Sequence, residues 1–201
     1  MSDDQIEKLT ELFKKFPGVG PRQARRFVYY LIHKDNSYLN DLTESMKNLR
    51  GSVLQCSDCK RFYAPRHEND KKGTCMYCID ENREATLLIV EKDADLENIE
   101  KTDTYKGHYF VLGGLVPVLE KEPEKRVRIK HLKSLLGRKK MDEVIVALAA
   151  HMDGDHTAEY LKKELSSLSS KVTLLGRGLS TGTELEYSDS DTLKNALKNR
   201  G

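Results

Sequence analysis

The sequence predicts an α/β protein with a helical N-terminal region, a small four-cysteine module, a parallel β-sheet flanked by helices, and a C-terminal tail. Three observations predict this class: apolar residues at helical spacing near the N-terminus, two cysteine pairs, and short apolar runs that later alternate with helix-like segments. We expect these parts to span residues 1–52, 53–81, 84–176 and 177–201. The chain has 201 residues, 38% hydrophobic and 33% charged, which excludes a disordered protein and suits one or two compact domains.

Three short helices are predicted in the N-terminal region. A helix over residues 4–16 carries apolar residues at the spacing of one helix face: Ile6, Leu9, Leu12, Phe13 and Phe16. The Pro-Gly-Val-Gly-Pro sequence at residues 17–21 must end it, because proline lacks the amide hydrogen and glycine tolerates positive φ. A second helix is expected over 21–33 and a third over 41–50. Such short helices bury little apolar surface, so this region is expected to need a neighbouring domain or a second copy of the chain.

From Leu87 onward the pattern is that of a parallel sheet covered by helices on both sides. Four short runs are apolar on both faces and are expected to be strands: Leu87–Val90, Tyr109–Leu112, Val144–Ala149 and Val172–Leu175. Helix-like segments lie between and after these runs, at residues 94–102, 126–137, 155–168 and 191–199. Strands that are apolar on both faces and alternate with helices are typical of parallel sheets.

Basic residues are concentrated in two parts of a chain whose net charge is only +2. Between Leu12 and Lys34 there are six Lys and Arg residues and no Asp or Glu, and residues 120–140 carry nine Lys and Arg against three Glu. Local basic patches on a nearly neutral chain indicate a polyanion held at defined faces. Solvated helix faces can have the same composition, and charge alone does not separate the two interpretations.

The turn between the first two predicted helices is a candidate phosphate-binding site. With Gly18 and Gly20 it exposes backbone N–H groups at the start of the second helix, where the helix dipole favours anions. Arg22 and Arg26, four residues apart, project from one face of that helix. We expect these four residues to contact the DNA backbone, so that binding is independent of base sequence and weakened by salt. The alternative is a plain helix-breaking turn.

All four cysteines lie in one pattern, Cys56-x2-Cys59 followed after fifteen residues by Cys75-x2-Cys78. Two such turns complete a tetrahedral four-sulfur site, which predicts one Zn²⁺ per chain. The alternatives are two disulfides, which a reducing cytosol disfavours, and redox chemistry. Four thiolates leave no open coordination position, so the zinc would be structural and His67, in the intervening loop, is not expected to be a ligand.

Three carboxylates follow predicted strands: Glu91 after the first, and Asp153 and Asp155 after the third. The carboxyl ends of parallel strands meet at the edge where ligands of open α/β sheets collect. Converging carboxylates there could hold Mg²⁺. The alternative is a set of acidic turn residues, with Asp153 or Asp155 as a helix N-cap. A magnesium site would not establish catalysis, and no catalytic residue is assigned.

Neither a membrane span nor a secretory signal is predicted. The longest apolar stretch, Val144–Ala150, is far shorter than the roughly 20 residues of a membrane helix. The N-terminus is acidic and has no apolar core. We therefore expect a soluble, cytoplasmic protein with no membrane partner.

In their order along the chain, these features resemble the bacterial recombination mediator family RecR, in which a helix-hairpin-helix, a four-cysteine zinc finger and a Toprim-type sheet follow one another. The matching sequences are Phe16-Pro-Gly-Val-Gly-Pro, the two Cys-x2-Cys pairs, Ile89-Val-Glu91, Tyr109-Phe-Val-Leu112 and Thr183-Glu-Leu-Glu-Tyr187. The resemblance implies a non-enzymatic clamp in recombinational DNA repair. Members of the family form dimers or ring-like tetramers, bind single-stranded and duplex DNA in the nucleoid, and act with RecO and RecF to load recombinase.

The resemblance also assigns roles to individual residues. It makes Arg22 and Arg26 the DNA contacts, and it matches Glu91, Asp153 and Asp155 to the Toprim acidic positions, which in this family serve partner binding or regulation. The family commonly has Glu-Gly-Glu where this chain has Asp153-Gly-Asp155. Because the aspartate pair is more like that of catalytic Toprim proteins, the alternative function is a metal-dependent nuclease.

Overall fold

The computed structural model describes residues 4–65, 73–169 and 171–200. The chain divides into two compact units, Met1–Val53 and Leu54–Gly201. Within the described ranges, no helix is long and apolar enough to cross a membrane.

The first unit consists of the three predicted helices: α1 (Gln5–Phe13), α2 (Pro21–Ile32) and α3 (Asn36–Ser52). The third helix begins five residues earlier than its apolar pattern suggested. The Asp35 side chain accepts a hydrogen bond from the backbone N–H of Tyr38 at 2.8 Å, and this N-cap explains why α3 begins at Asn36.

The core of this unit is small. Ala24 and Val28 of α2 are buried, and the rings of Phe13 and Phe27 pack edge to face with centroids 5.7 Å apart. Beside this core lies an apolar groove of about 1130 Å³, defined by side chains of all three helices: Ile6, Leu9, Leu12, Phe13, Phe16, Val28, Leu31, Ile32, Leu39, Leu42, Met46 and Leu49. These three helices therefore leave much of their apolar surface unfilled.

The second unit begins with the cysteine module. Strands β1 (Leu54–Gln55) and β2 (Phe62–Tyr63) form an antiparallel pair, and a short helix α4 (Met76–Ile79) follows. Residues 66–72, between the two cysteine pairs, lie outside the described ranges, and with them His67.

The main sheet is parallel, as predicted. Its strands are β3 (Glu84–Val90), β4 (Gly107–Val111), β5 (Glu143–Ala147) and β6 (Val172–Leu174), in the spatial order β4-β3-β5-β6. Between these strands and after them lie α5 (Asp93–Lys101), α6 (Pro123–Arg126), α7 (Ile129–Arg138), α8 (Met152–Leu165), a 3₁₀ turn (Leu185–Tyr187) and α9 (Ser190–Lys198). The α/β class is confirmed.

Both faces of the sheet are buried against helices. Leu87, Ile89 and Phe110 pack with apolar residues of α7 and α8, whereas Leu88 and Tyr109 on the other face pack with α5. This alternation explains why the strands read as continuous apolar runs.

Two predicted helices differ in detail from those observed. The helix expected over 126–137 is interrupted at Val127, which is buried in an extended conformation and separates α6 from α7. The helix expected from residue 155 starts at Met152, because the His151 side chain accepts a hydrogen bond from the N–H of Gly154 at 3.4 Å.

The topology places the predicted acidic residues at one edge of the sheet. From β3 the chain crosses outward to β4 and then returns to the other side of β3 as β5. The carboxyl ends of β3 and β5 therefore flank the point where the strand order reverses, which is where ligands of open α/β sheets bind. Glu91 directly follows β3, and Asp153 and Asp155 lie in the first turn of α8 after β5.

Candidate functional site

The four cysteines form one compact cluster. Their Sγ atoms all lie within 4.8 Å of one another, with 3.5 Å between Cys59 and Cys75 and 3.8 Å between Cys56 and Cys78. A tetrahedral ion with Zn–S bonds of about 2.3 Å holds its sulfurs about 3.8 Å apart. The sulfurs are free thiols at distances well beyond the roughly 2.0 Å of a disulfide bond. The donor set therefore fits a single tetrahedral metal ion.

The local backbone conformation brings the sulfurs of the four cysteines together. Lys60, directly after Cys59, has a φ of 63° and closes the first cysteine turn. Cys75 is the N-cap of α4, and its backbone N–H points to the Sγ of Cys56 at 3.4 Å. Hydrogen bonding with Cys59 lowers the pKa of the Cys56 thiol, and the same contact raises the pKa of the Cys59 thiol. Metal binding would release the protons that these thiols share.

The cysteine module is attached to the edge strand β4 of the sheet. The backbone N–H of Val111 donates to the carbonyl of Cys59 at 2.8 Å. The Arg128 guanidinium donates to the carbonyls of Lys60 and Val111 at 3.2 and 3.1 Å. The module thus covers backbone groups that an open edge strand would expose. Arg128 was not identified from the sequence, because its partners are far away along the chain.

His108 makes a second connection between the module and the sheet. Its Nδ1 lies 3.2 Å from the Tyr77 carbonyl, and its Nε2 lies 2.8 Å from the Lys139 Nζ. Since the lysine can only donate, Nε2 must accept, so the ring is neutral and its Nδ1–H donates to Tyr77. Burial, together with the charge of Lys139, lowers the pKa of His108.

The turn between α1 and α2 combines a left-handed glycine with a helix start that no side chain caps. Gly18 has a φ of 75°, a conformation that favours glycine, and Gly20 precedes α2 without any side-chain cap. Pro21 has no N–H, so the N–H groups of Arg22 and Gln23 are the ones without partners inside the helix.

The three arginines of α2 differ in their surroundings. Arg22 and Arg26 are exposed and four residues apart on α2, which places them on one side of the helix. Arg25, in contrast, forms an ion pair with Glu7 of α1 at 2.6 Å. Because a neighbouring carboxylate offsets its charge, Arg25 is less suited than Arg22 and Arg26 to bind a phosphate.

The acidic residues at the sheet edge make contacts within the protein. The Asp153 carboxylate accepts a hydrogen bond from the N–H of Val118 at 3.3 Å, and Asp155 pairs with Arg177 at 2.6 Å. Glu91 lines a separate small cavity of about 170 Å³ that also includes Arg128. In the part of the chain that the structure describes, the cysteines are the only group of three or more His, Cys, Asp or Glu placed to share an ion. The three carboxylates do not form such a group, and a Mg²⁺ site at this edge stays a prediction.

The N-cap of α8 is His151, so an N-cap role for Asp153 or Asp155 is wrong; both aspartates lie in the first turn of the helix. Gly154 lies between the two aspartates where a Cβ would collide with the carbonyl oxygen of Ala149. The Asp-Gly-Asp sequence thus includes a glycine that the close approach of two backbone segments requires. Arg177 is a further residue that sequence reasoning missed, since its partner lies 22 residues away.

Family models match three parts of the chain. A Toprim domain model matches residues 85–176, a RecR helix-hairpin-helix model matches residues 6–50, and a RecR C-terminal model matches residues 178–200. The candidate turn lies within the second match and the acidic sheet edge within the first.

Curated relatives match nearly the whole chain, and each carries the name Recombination protein RecR. The protein of Streptococcus thermophilus is 35% identical over 196 residues, which cover 97% of this chain and 96% of the relative. The proteins of Methylocella silvestris and Chelativorans sp. are 36% and 37% identical over 197 residues, which cover 98% of this chain and 94% of each relative.

Proposed function

The chain belongs to the RecR family of recombination proteins and has a role in recombination and repair, and from this premise we propose that it is a DNA-binding mediator. We infer that it forms a dimer or ring-like tetramer in the cytoplasm, associated with the nucleoid. There it would act with RecO and RecF to load recombinase onto single-stranded DNA. The observation that carries the proposal is the pair Arg22 and Arg26, exposed beside an uncapped helix start in an acid-free segment.

The DNA contact is made through phosphates. The free N–H groups of Arg22 and Gln23 and the positive end of the α2 dipole bind one phosphate, and the guanidinium groups of Arg22 and Arg26 each bind a neighbouring one. Gly18 and Gly20 leave the approach open, since a Cβ at either position would have no atom within 4 Å. Phosphate contacts carry no base information, so the site accepts single-stranded and duplex DNA of any sequence.

The cysteine cluster is proposed to hold one structural Zn²⁺ through Cys56, Cys59, Cys75 and Cys78. The compact sulfur arrangement supports this assignment. When bound, zinc supplies folding free energy, on the order of 10–16 kcal/mol in isolated zinc-finger peptides. The module then keeps Cys59 and Lys60 in place against β4.

Glu91, Asp153 and Asp155 are proposed to serve partner binding or regulation, with no catalytic residue among them. Their present contacts support a positioning role: Asp153 holds the loop after β4, and Asp155 holds Arg177 at the start of the C-terminal segment. A Toprim-type nuclease is the second candidate, because two aspartates lie at the sheet edge where such enzymes place theirs.

The DNA contact is tested by replacing both Arg22 and Arg26 with alanine. We expect weaker binding to all sequences, and a slope of log K against log salt reduced by about two, one for each lost phosphate contact. Fluorescence anisotropy at several salt concentrations measures both quantities. Arg25→Ala is the matched control, since Arg25 is paired with Glu7 and should have a smaller effect. Unchanged affinity of the double variant at low salt would contradict the assignment of Arg22 and Arg26 as DNA contacts.

The two candidate functions are separated by a cleavage assay. Labelled single-stranded, gapped and duplex DNA is incubated with Mg²⁺ or Mn²⁺ and either the natural protein or Asp153→Asn. The mediator function predicts intact DNA in both samples. Cleavage by the natural protein that is lost in the variant would establish a nuclease instead.

A further inference from the structure

Two exposed tyrosines and a lysine lie where α2 ends and α3 begins. The rings of Tyr30 and Tyr38 pack edge to face, with centroids 6.2 Å apart and planes at 84°. Tyr30 keeps 51% and Tyr38 40% of its surface exposed. The Lys34 Nζ lies 4.6 Å from the centre of the Tyr30 ring and 5.6 Å from that of Tyr38. We call these three residues the tyrosine platform.

The tyrosine platform continues the line of the DNA-contacting arginines. Arg22, Arg26 and Tyr30 follow one another at intervals of four residues on α2, so their side chains lie on one side of the helix. Tyr29, which is also exposed, falls on the same side. From Arg22 to Tyr30 the helix rises about 12 Å. A single strand held at the arginines therefore has to extend only about 12 Å to reach Tyr30.

The platform does not belong to the apolar interior of its unit. Val28, Leu31 and Ile32 of α2 line the apolar groove, and neither Tyr30 nor Tyr38 is among the groove's lining residues. Large aromatic rings that serve a core are normally buried. Partly exposed rings beside cations are instead the composition of surfaces that bind unpaired bases.

We propose that the tyrosine platform is a base-stacking site for single-stranded DNA whose phosphates are held at Arg22 and Arg26. This proposal rests on the proposed DNA contact. Every unpaired base has a π face that stacks on an aromatic ring, whereas bases in a duplex are already stacked and paired. Lys34 adds a positive charge beside the rings, where it can meet a further phosphate.

Base stacking at the tyrosine platform would allow the helix-hairpin-helix region to distinguish single-stranded from duplex DNA. Phosphate contacts alone do not separate single strands from duplexes, because both present the same charged group. Stacking adds affinity only for the single strand and does so for any base. The hairpin region would then prefer single-stranded DNA while remaining independent of sequence.

The test uses the full-length, zinc-loaded protein and three probes of equal length: oligothymidylate, the same backbone with abasic sites, and a blunt duplex. Tyr30→Ala and Tyr38→Ala remove the rings, Tyr30→Phe keeps a ring, and Tyr30→Leu keeps apolar bulk without one. Tyr187→Ala, at a tyrosine that is 78% exposed in the other unit, is the matched control. Thermal unfolding shows that each variant is folded. Because the chain contains no tryptophan, quenching of tyrosine fluorescence by bound bases can be followed directly.

We expect Tyr30→Ala to bind oligothymidylate about tenfold more weakly and to lose the preference over the abasic probe. Affinity for the abasic probe and the duplex should stay the same, and Tyr30→Phe should restore binding where Tyr30→Leu does not. An equal loss on all three probes, full restoration by leucine, or no loss at all would overturn the proposal. If Tyr30→Ala has no effect while loss of Arg22 and Arg26 abolishes binding, only the stacking site fails. If the arginine variant also binds normally, the DNA contact itself is wrong.

Discussion

At the scale of single residues, His108 shows how a side chain inside the fold acquires a defined protonation state. It lies between a carbonyl that must accept and a lysine that must donate, so only the neutral ring satisfies both neighbours. Burial and the adjacent Lys139 both disfavour the imidazolium ion. The hydrogen bond that Nε2 accepts from Lys139 therefore depends on pH, whereas Nδ1–H donates to the Tyr77 carbonyl in either protonation state.

The free energy of unfolding is therefore expected to depend on the protonation of His108. The pKa of folded His108 is lower than its ordinary value of about 6.5, so the unfolded chain binds the proton more readily. The contribution of His108 to the free energy of unfolding is thus complete above about pH 6.5 and is lost as the pH falls through the lowered pKa. His108→Gln should show a flatter pH dependence between about pH 7 and 5. Denaturant unfolding in excess zinc measures it, with the exposed His33→Gln as control; identical slopes for His108→Gln and the natural protein would contradict the prediction.

At the scale of elements, the cysteine module and the sheet support each other. The module supplies the backbone carbonyls of Cys59 and Tyr77 as hydrogen-bond partners to β4, and β4 in turn supplies the surface on which this small module folds. At the other end of the sheet, Arg177 pairs with Asp155, while its carbonyl accepts a hydrogen bond from the side chain of Asn199 at 2.8 Å. The C-terminal segment is thereby attached to the acidic edge of the sheet.

Cys75→Ser tests the dependence of the module on its metal. We expect loss of the zinc, a loss of several kcal/mol of stability and a fall in Tm of roughly 10 °C. Faster hydrogen exchange in β4 should accompany it, because the hydrogen bond of Val111 to Cys59 is lost with the module. Metal analysis and exchange mass spectrometry measure these changes. Met76→Ser, at the exposed neighbouring position, is the control. A variant that kept one zinc per chain and full stability would refute the four-sulfur site.

At the scale of the whole molecule, the open groove of the first unit supports the expectation that this region needs a neighbouring domain or a second copy of the chain. Three short helices with few buried residues provide little stabilisation, yet they expose large apolar side chains along that groove, among them Met46 and Leu49. Covering such a surface in an oligomer would bury what the isolated helices leave in water.

We therefore expect a dimer or tetramer that depends on this groove. Leu49→Asp places a charge in it and should shift the mass measured by light scattering toward that of a single chain. Met152→Asp, at an exposed apolar position in the second unit, is the control and should leave the mass unchanged. A natural protein that is monomeric at all concentrations would contradict the expectation.

The sequence alone determined the features that local patterns encode. Apolar runs alternating with helical periodicity predicted the parallel sheet, and the spacing of four cysteines predicted one cluster, because the signal of each strand, helix and cysteine pair lies within a few neighbouring residues. The tertiary structure decided which distant groups meet. It paired Arg25 with Glu7 and Asp155 with Arg177. It also placed two tyrosines from different helices beside one lysine. Such contacts arise from how whole elements pack, and periodicity within a single element carries no information about them.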